Sequence, residues 1–308
     1  MSRSPLLSEY NRQRNDYACP LCGGHTYEGE PCGTCFLPFK VIESIRSRPH
    51  PPRFVVVLGP TGVGKTVYLG MLLDLLSRGV GGLRGLSRSP YSLTLHRNLI
   101  LALQRQRFPE KTPVETDRWN WLHCEILGPR GKSTADIVTP DVAGEAVMSE
   151  MENPGTNKTI RALISRCAGM VVLVDLVEVV ADGQSQELFA MQLISYLDAL
   201  RPGRKKSRKL EVPVAVVFTK ADLFEEWISD PESFARGNVS SLHAQCQARL
   251  EHCCFYCSGV AGSSAKLVDD SGQESLVPLR VEPRGIVEPF AWMVSKLGEC
   301  AVNLRLTG

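Results

Sequence analysis

No stretch of this 308-residue sequence is apolar for long enough to cross a bilayer. The longest apolar run, AGMVVLVDLVEVVA from Ala168 to Ala181, is broken by Asp175 and Glu178 and falls short of the ~20 residues that a membrane helix needs. The opening residues, MSRSPLLSEYNRQRNDY, lack the apolar segment of a secretion signal. Together these predict a soluble, cytoplasmic protein without a transmembrane segment. Charge of one sign is missing too: 35 Lys and Arg against 33 Asp and Glu leave a formal net charge of +2, so no global field points to nucleic acid or membrane. The sequence has no internal repeat. It also has no Ser-His-Asp set with positional support and no paired-carboxylate site, which sets aside the hydrolases built on those groups.

Cysteine, by contrast, is plentiful. Eleven in a chain read as cytosolic argue against disulfides. Four of them, Cys19, Cys22, Cys32 and Cys35, form C-x-x-C…C-x-x-C in CPLCGG and CGTC. Glycine after the second cysteine permits the tight knuckle that aims both sulfurs at one ion. Four thiolates at such spacing suit tetrahedral Zn²⁺ at about 2.3 Å, and so small a segment has no core with which to fold metal-free. The pattern predicts a closed, structural zinc ribbon that serves partner contact. The remaining seven cysteines read mostly as small core hydrophobes. CCFYC, with Cys253, Cys254 and Cys257, lies in an expected strand, where residues three apart face opposite sides. His252, His123 and Cys124 read likewise as strand residues rather than ligands.

The chain divides into a polar, frayed N-terminus (1–16), the ribbon (17–40), a linker (41–52) that includes the extended, proline-rich RSRPHPPR, and one large domain (53–308). In that domain apolar runs and amphipathic stretches alternate. Strands are expected at 54–59, 119–127, 134–140 (paired around GPRG), 168–176, 212–220 and 253–260. Helices are expected at 65–78, 93–106, 186–200, 231–251 and 288–304, with a flexible loop at 80–85. Trp119 and Trp121 alternate along their strand, which leaves one of them exposed in this reading. Strand–helix alternation predicts an α/β fold: a mostly parallel sheet covered by helices on both faces, a three-layer sandwich.

GPTGVGKT, Gly59–Thr66, matches G-x-x-x-x-G-K-[ST], a pattern that arises by chance in roughly one or two of a hundred chains this long. Here it also follows a strand and opens a helix, the context that supports it. Gly62 and Gly64 let backbone N–H groups converge on phosphate oxygens, and the helix N-terminus adds its partial positive charge. Lys65 would reach the terminal phosphates and Thr66 would ligate Mg²⁺. The cradle does not choose the base. TKAD, Thr219–Asp222, ends another strand, and a carboxylate there can accept both guanine N1–H and N2–H₂, a donor pair that adenine lacks. DVAGE, Asp141–Glu145, ends a third strand, and SSAK, Ser263–Lys266, follows a fourth. RPGRKKSRK, Arg201–Lys209, is basic; it reads as a solvated loop, with anionic lipid, RNA or an acidic partner as the alternative.

With these motifs in this order the chain resembles the Ras-like GTPases of the translation-factor-related P-loop class, over about residues 53–304, which implies that its three-layer sandwich is of the P-loop NTPase kind. The resemblance implies that Gly59, Thr61, Gly62, Val63, Gly64, Lys65, Thr66 and Val67 hold the phosphates of GTP or GDP. It implies that Asp141 orients Mg²⁺ through water and that the Gly144 N–H senses the γ-phosphate. Asp222 would read guanine while the Lys220 stem packs on the base beside Thr219, and amides of Ser264, Ala265 and Lys266 would meet the guanine carbonyl. A threonine ahead of the Trp119 strand, Thr112 or Thr116 with Thr112 favoured, would complete the Mg²⁺ shell. The family carries glycine where this chain has Thr61 and glutamine where it has Glu145. The glutamine positions the attacking water, so the resemblance implies slow or partner-activated hydrolysis, with Lys65, Gly144, Glu145 and Thr112 in the catalytic set. GKTVYLGML, the extra helix 93–106 and PRGIVEPFAWMVSKL are similar to the bacterial double-GTPase families. Those families are proposed to act as paired GTPases in conflict systems, which implies a protein partner, another GTPase among the candidates. An interaction module that binds GTP without turnover, a P-loop ATPase and a nucleic-acid-binding GTPase are the alternatives.

Overall fold

A computed structural model describes residues 16–49, 51–128, 133–182, 184–201, 208–224, 227–268 and 274–306. The polar residues 1–15, most of the GPRG turn and most of the basic stretch 201–209 lie outside these residues.

The chain starts with a small antiparallel pair, β1 (Asp16–Ala18) and β2 (His25–Tyr27), then runs into helix α1 (Phe39–Arg46). Next comes β3 (Arg53–Leu58), the centre of a seven-stranded sheet of order β4-β5-β6-β3-β7-β8-β9. β6 (Ser133–Pro140), β7 (Gly169–Asp175), β8 (Val214–Thr219) and β9 (Cys253–Cys257) continue it in parallel. β4 (Arg84–Ser87) and β5 (Trp121–Leu127) are antiparallel at one edge. The continuous apolar runs are the parallel strands because both of their faces are covered.

Alternation along β3 divides the core. Phe54, Val56 and Leu58 face one side; Val55 and Val57 face the other. The Val55 side is covered by α2 (Lys65–Ser77), α3 (Pro90–Gln104) and α10 (Val287–Leu306). The Phe54 side is covered by α4 (Gly144–Glu152), α5 (Lys158–Arg166), α6 (Leu176–Ala181), α7 (Gln184–Ala199), α8 (Pro231–Asn238) and α9 (Ser240–Arg249). This is the expected three-layer α/β sandwich.

Several details differ from expectation. The stretch assigned to a linker is helical through Arg46, because Val41, Ile42 and Ile45 form an apolar stripe that buries against the sheet. The glycine-rich 80–85 segment is a 3-10 turn that leads into edge strand β4, whose Gly85 leaves no room for a Cβ between Cys124 and Leu76. Helix 231–251 breaks at Val239 into α8 and α9. The strand expected at 253–260 ends at Cys257. The chain then enters a separate antiparallel hairpin, β10 (Gly259–Val268) and β11 (Glu274–Arg284), that the sequence reading did not anticipate. Trp119 and Trp121 are both buried, in the core on the Phe54 side of the sheet. No described helix is long and apolar enough to cross a membrane.

The cysteine-bearing segment is not a separate body. Cys19, Leu21, Cys32, Cys35, Leu37, Val41 and Ile42 share one core with Ile160, Leu163 and Ile164 of α5. Arg48, just after α1, reaches Asp136 Oδ1 at 3.0 Å and also pairs with Glu125, so two buried strand carboxylates are neutralised from the N-terminal side.

Candidate functional site

The C-terminal ends of β3, β6, β7 and β8 open into one cleft of about 400 Å³, walled by residues 61–68, 108–112, 143–145, 177–178 and 258–260 together with Thr219, Lys220 and Asp222. At its floor, Gly62 (φ +79°) and Gly64 (φ +96°) take the left-handed backbone that turns the chain from β3 into α2. Lys65, 6% exposed, donates from Nζ to Gly59 O at 3.0 Å and Pro60 O at 2.7 Å. Burial pulls its pKa down to about 8, against the opposing pull of the Asp141 and Glu145 carboxylates.

Beside the lysine, three side chains from separate parts of the chain meet. Thr66 Oγ1 donates to Asp141 Oδ1 and Oδ2 at 3.2 and 3.0 Å, and Thr112 Oγ1 donates to Asp141 Oδ2 at 3.0 Å. The two hydroxyls lie 2.9 Å apart. Burial raises the Asp141 carboxyl, while the Thr66 and Thr112 hydroxyls and Lys65 oppose the rise. A carboxylate with two hydroxyls is a hard-oxygen donor set that suits Mg²⁺. Thr112 is therefore the threonine brought to Asp141. Thr116 instead accepts from Asn157 Nδ2 at 3.2 Å.

DVAGE closes on the phosphate turn. A Cβ at Gly144 would lie 2.5 Å from the Thr61 amide nitrogen and 2.7 Å from the Pro60 carbonyl carbon, so only glycine allows this approach. Burial would raise the neighbouring Glu145 carboxyl. Its own backbone N–H, the Thr61 hydroxyl, Lys65 and Lys111 outweigh burial and hold it below the usual carboxylate range. The two departures from the Ras-like pattern, Thr61 and Glu145, both wall the cleft, and the Thr61 hydroxyl is one of the groups that favour the Glu145 carboxylate.

At the other end of the cleft, Lys220 (φ +60°) turns the chain and pairs with Asp175, while Thr219 Oγ1 donates to Val174 O at 3.3 Å. Asp222 Oδ2 accepts the Ala261 N–H at 3.0 Å. Burial raises its carboxyl, and its own backbone N–H with those of Ala261 and Val260 opposes this. SSAK does not join it. Ser263, Ser264, Ala265 and Lys266 belong to the β10–β11 hairpin, and none of them walls the cleft. The backbone beside Asp222 is Ser258, Gly259 and Val260, because β9 ends earlier than expected. Ser258 O accepts the Ala221 N–H at 3.0 Å. Ser-Gly directly after an apolar strand was the available signal. Phe108, Pro109, Glu110 and Lys111, which cover the cleft beside Thr112, had no motif to reveal them.

The second site is the cysteine cluster. The four Sγ atoms lie within 4.8 Å of one another, with Cys19–Cys35 at 3.5 Å and Cys22–Cys32 at 3.4 Å. Four thiolates around tetrahedral Zn²⁺ stand about 3.8 Å apart, so the residues fit that ion. The hydrogen bond from Cys35 lowers the Cys19 thiol to about 5, and burial lifts Cys22 to about 11. Among the described residues no other group of three or more His, Cys, Asp or Glu converges in this way.

Comparison with known proteins narrows the fold to a family. Among solved structures, similar folds include the Arl6 small GTPase of Trypanosoma brucei (13% identity, TM-score 0.41, covering 80% of this chain and 98% of that one). They also include the GTPase-like domain of Ski7 from S. cerevisiae (14%, 0.38, 83% and 51%) and the signal recognition particle receptor complex of Chaetomium thermophilum (13%, 0.39, 66% and 92%). At these scores the likenesses carry no argument of their own. No curated protein matches. Residues 53–266, more than half of the chain, match the Double-GTPase 2 family, in the stretch that holds all of the cleft motifs. This protein, a P-loop GTPase of double-GTPase type, belongs to the Double-GTPase 2 family.

Proposed function

We propose that the protein is a GTP-binding switch that hydrolyses GTP slowly to GDP and phosphate. The observation that carries this reading is the meeting of Thr66, Thr112 and Asp141 at one end of the cleft that holds Asp222 at its other end. Their convergence from positions far apart in sequence supplies the oxygen set that a nucleoside triphosphate with its metal would need. Bound Mg²⁺ would supply charge neutralisation at the β- and γ-phosphates. Lys65 would exchange its two carbonyl partners for phosphate oxygens, a charge-assisted bond stronger than either neutral one. The 62–66 amides would hold the phosphates in line for attack by water. Asp222 would give up the Ala261 amide or share it while accepting from guanine. The four cysteines would hold Zn²⁺ as a structural ion, and a protein partner, another GTPase in particular, would act on the loops near Thr112 and Glu145.

Glu145 governs rate in this reading. An ionised carboxylate beside the γ-phosphate opposes the charge that the reaction leaves there. Glu145→Gln is expected to raise the single-turnover rate of GTP hydrolysis; an unchanged or lower rate rejects this role. The same Glu145, its pKa held low, together with Thr61 in place of glycine, favours the second reading, a module that binds GTP without turnover. Phosphate release far below one per hour, with candidate partners present, selects that reading. Competition of labelled GTP by ATP tests the base: GTP is expected to win by orders of magnitude.

A further inference from the structure

One buried polar cluster lies beyond the groups used above. Glu150 on α4, 0% exposed, accepts from the Gly155 N–H at 2.9 Å, from the Asn157 N–H at 2.6 Å and from the Tyr196 hydroxyl. Three donors satisfy a buried carboxylate, and together they fix the 153–157 turn. Asn157 Oδ1 accepts the Ile160 N–H at 3.1 Å and caps α5. That bond decides which way the amide faces, so Nδ2 is the atom that donates to Thr116 Oγ1 at 3.2 Å. Thr116 ends the loop that carries Thr112. α5 is anchored on its other side, where Thr159 Oγ1 donates to Cys35 O at 3.0 Å and Ile160, Leu163 and Ile164 share the ribbon's core.

We infer that Asn157 is a positioning residue: its amide latches the Thr112-bearing loop to ribbon-backed α5 and so holds the Thr112 hydroxyl beside Thr66 and Asp141. The inference rests on the GTP-binding reading above. Trp119 Nε1 also braces the loop, by donating to Pro113 O at 2.9 Å, but the Asn157 amide is the bond that ties it to α5, and a loop so tied is ordered at less cost when a γ-phosphate and its metal need Thr112. The diphosphate state makes no such demand. The latch therefore favours the triphosphate state selectively.

Asn157→Ser tests it. Serine caps a helix about as well as asparagine but is too short to reach Thr116. Thr116→Val removes the acceptor from the other side with its shape kept. Affinities for GDP and for a non-hydrolysable GTP analogue are measured on the full chain. Each variant is expected to weaken the analogue about 3–10-fold, the range of one neutral hydrogen bond, and to leave GDP within about twofold. The double variant is expected to be no weaker than either single one. Asn157→Asp, to which the Thr116 hydroxyl can donate instead, is expected to recover most of the loss. Equal losses for both nucleotides, no loss at all, or additive losses overturn the latch. A wild-type protein that binds neither nucleotide sinks the GTP reading itself, whereas wild-type binding with unaffected variants sinks the latch alone.

Discussion

Asp222 and Lys65 stand at opposite ends of the cleft, each an ionisable group held largely out of water, and each makes a prediction at its own scale. In the proposed complex, Asp222 offers a carboxylate where guanine would present two donors. Asp222→Asn would set an NH₂ against them, so GTP affinity is expected to fall about 10–100-fold while xanthosine triphosphate, whose base edge replaces a donor with an acceptor, gains. Titration calorimetry of the two nucleotides checks it; parallel losses would refute base contact. For Lys65 the sign follows from its lowered pKa of about 8. Phosphate favours the charged ammonium, so above pH 8 binding must take up a proton. Nucleotide Kd is expected to be flat just below pH 8 and to rise by up to about tenfold per pH unit above it. Lys65→Gln should bind weakly with no such slope. Their place in one cleft was legible in sequence because each lies in a motif at the end of an apolar strand, and parallel strands bring those ends together. SSAK lies in the β10–β11 hairpin and not at the cleft, because a four-residue match carries no information about where β9 stops.

Elements were legible where one period dominates. The β3, β7 and β8 runs are apolar throughout, and α2 is buried nearly all round, as its Leu69, Leu72, Leu73 and Leu76 stripe foretold in part. Misread elements have mixed signals. β4 is RGLS, too short and too glycine-rich to announce a strand, and it exists because β5 offers an antiparallel edge. α3 starts at Pro90, three residues earlier than expected, because Ser89 caps it. The Ser89 hydroxyl accepts the Ser92 N–H at 3.2 Å and reaches Trp121 O at 3.0 Å, so it ties the helix start to β5. Ser89→Ala is expected to cost about 1–2 kcal/mol of stability, at the upper end for a cap because a buried amide and a carbonyl both lose a partner. A urea midpoint shift with unchanged slope checks it.

For the whole molecule, the consequential finding is that the cysteine segment is built into the core of the large domain. Its apolar residues pack with α5, Thr159 bonds to Cys35 O, and Arg48 reaches across to Glu125 and Asp136. Chelation of the ribbon metal is therefore expected to lower the melting temperature of the entire protein by several degrees in one cooperative transition. A melt unchanged by chelator, or a separate early transition, would show the ribbon to be independent. Metal analysis before and after chelation accompanies the melt. What the sequence alone determined was local: which runs are strands and helices, which glycines turn the phosphate loop, and which four thiols belong together. Each of those rests on periodicity or short-range spacing, and the chain's own geometry enforces both. Only tertiary structure decided that Thr112 rather than Thr116 meets Asp141, that Ser258–Val260 rather than SSAK backs Asp222, that Thr61 and Glu145 wall the same cleft, and that the ribbon joins the core. Those facts depend on distances between elements far apart in sequence, and such distances are set by how the sheet twists and which faces bury against one another.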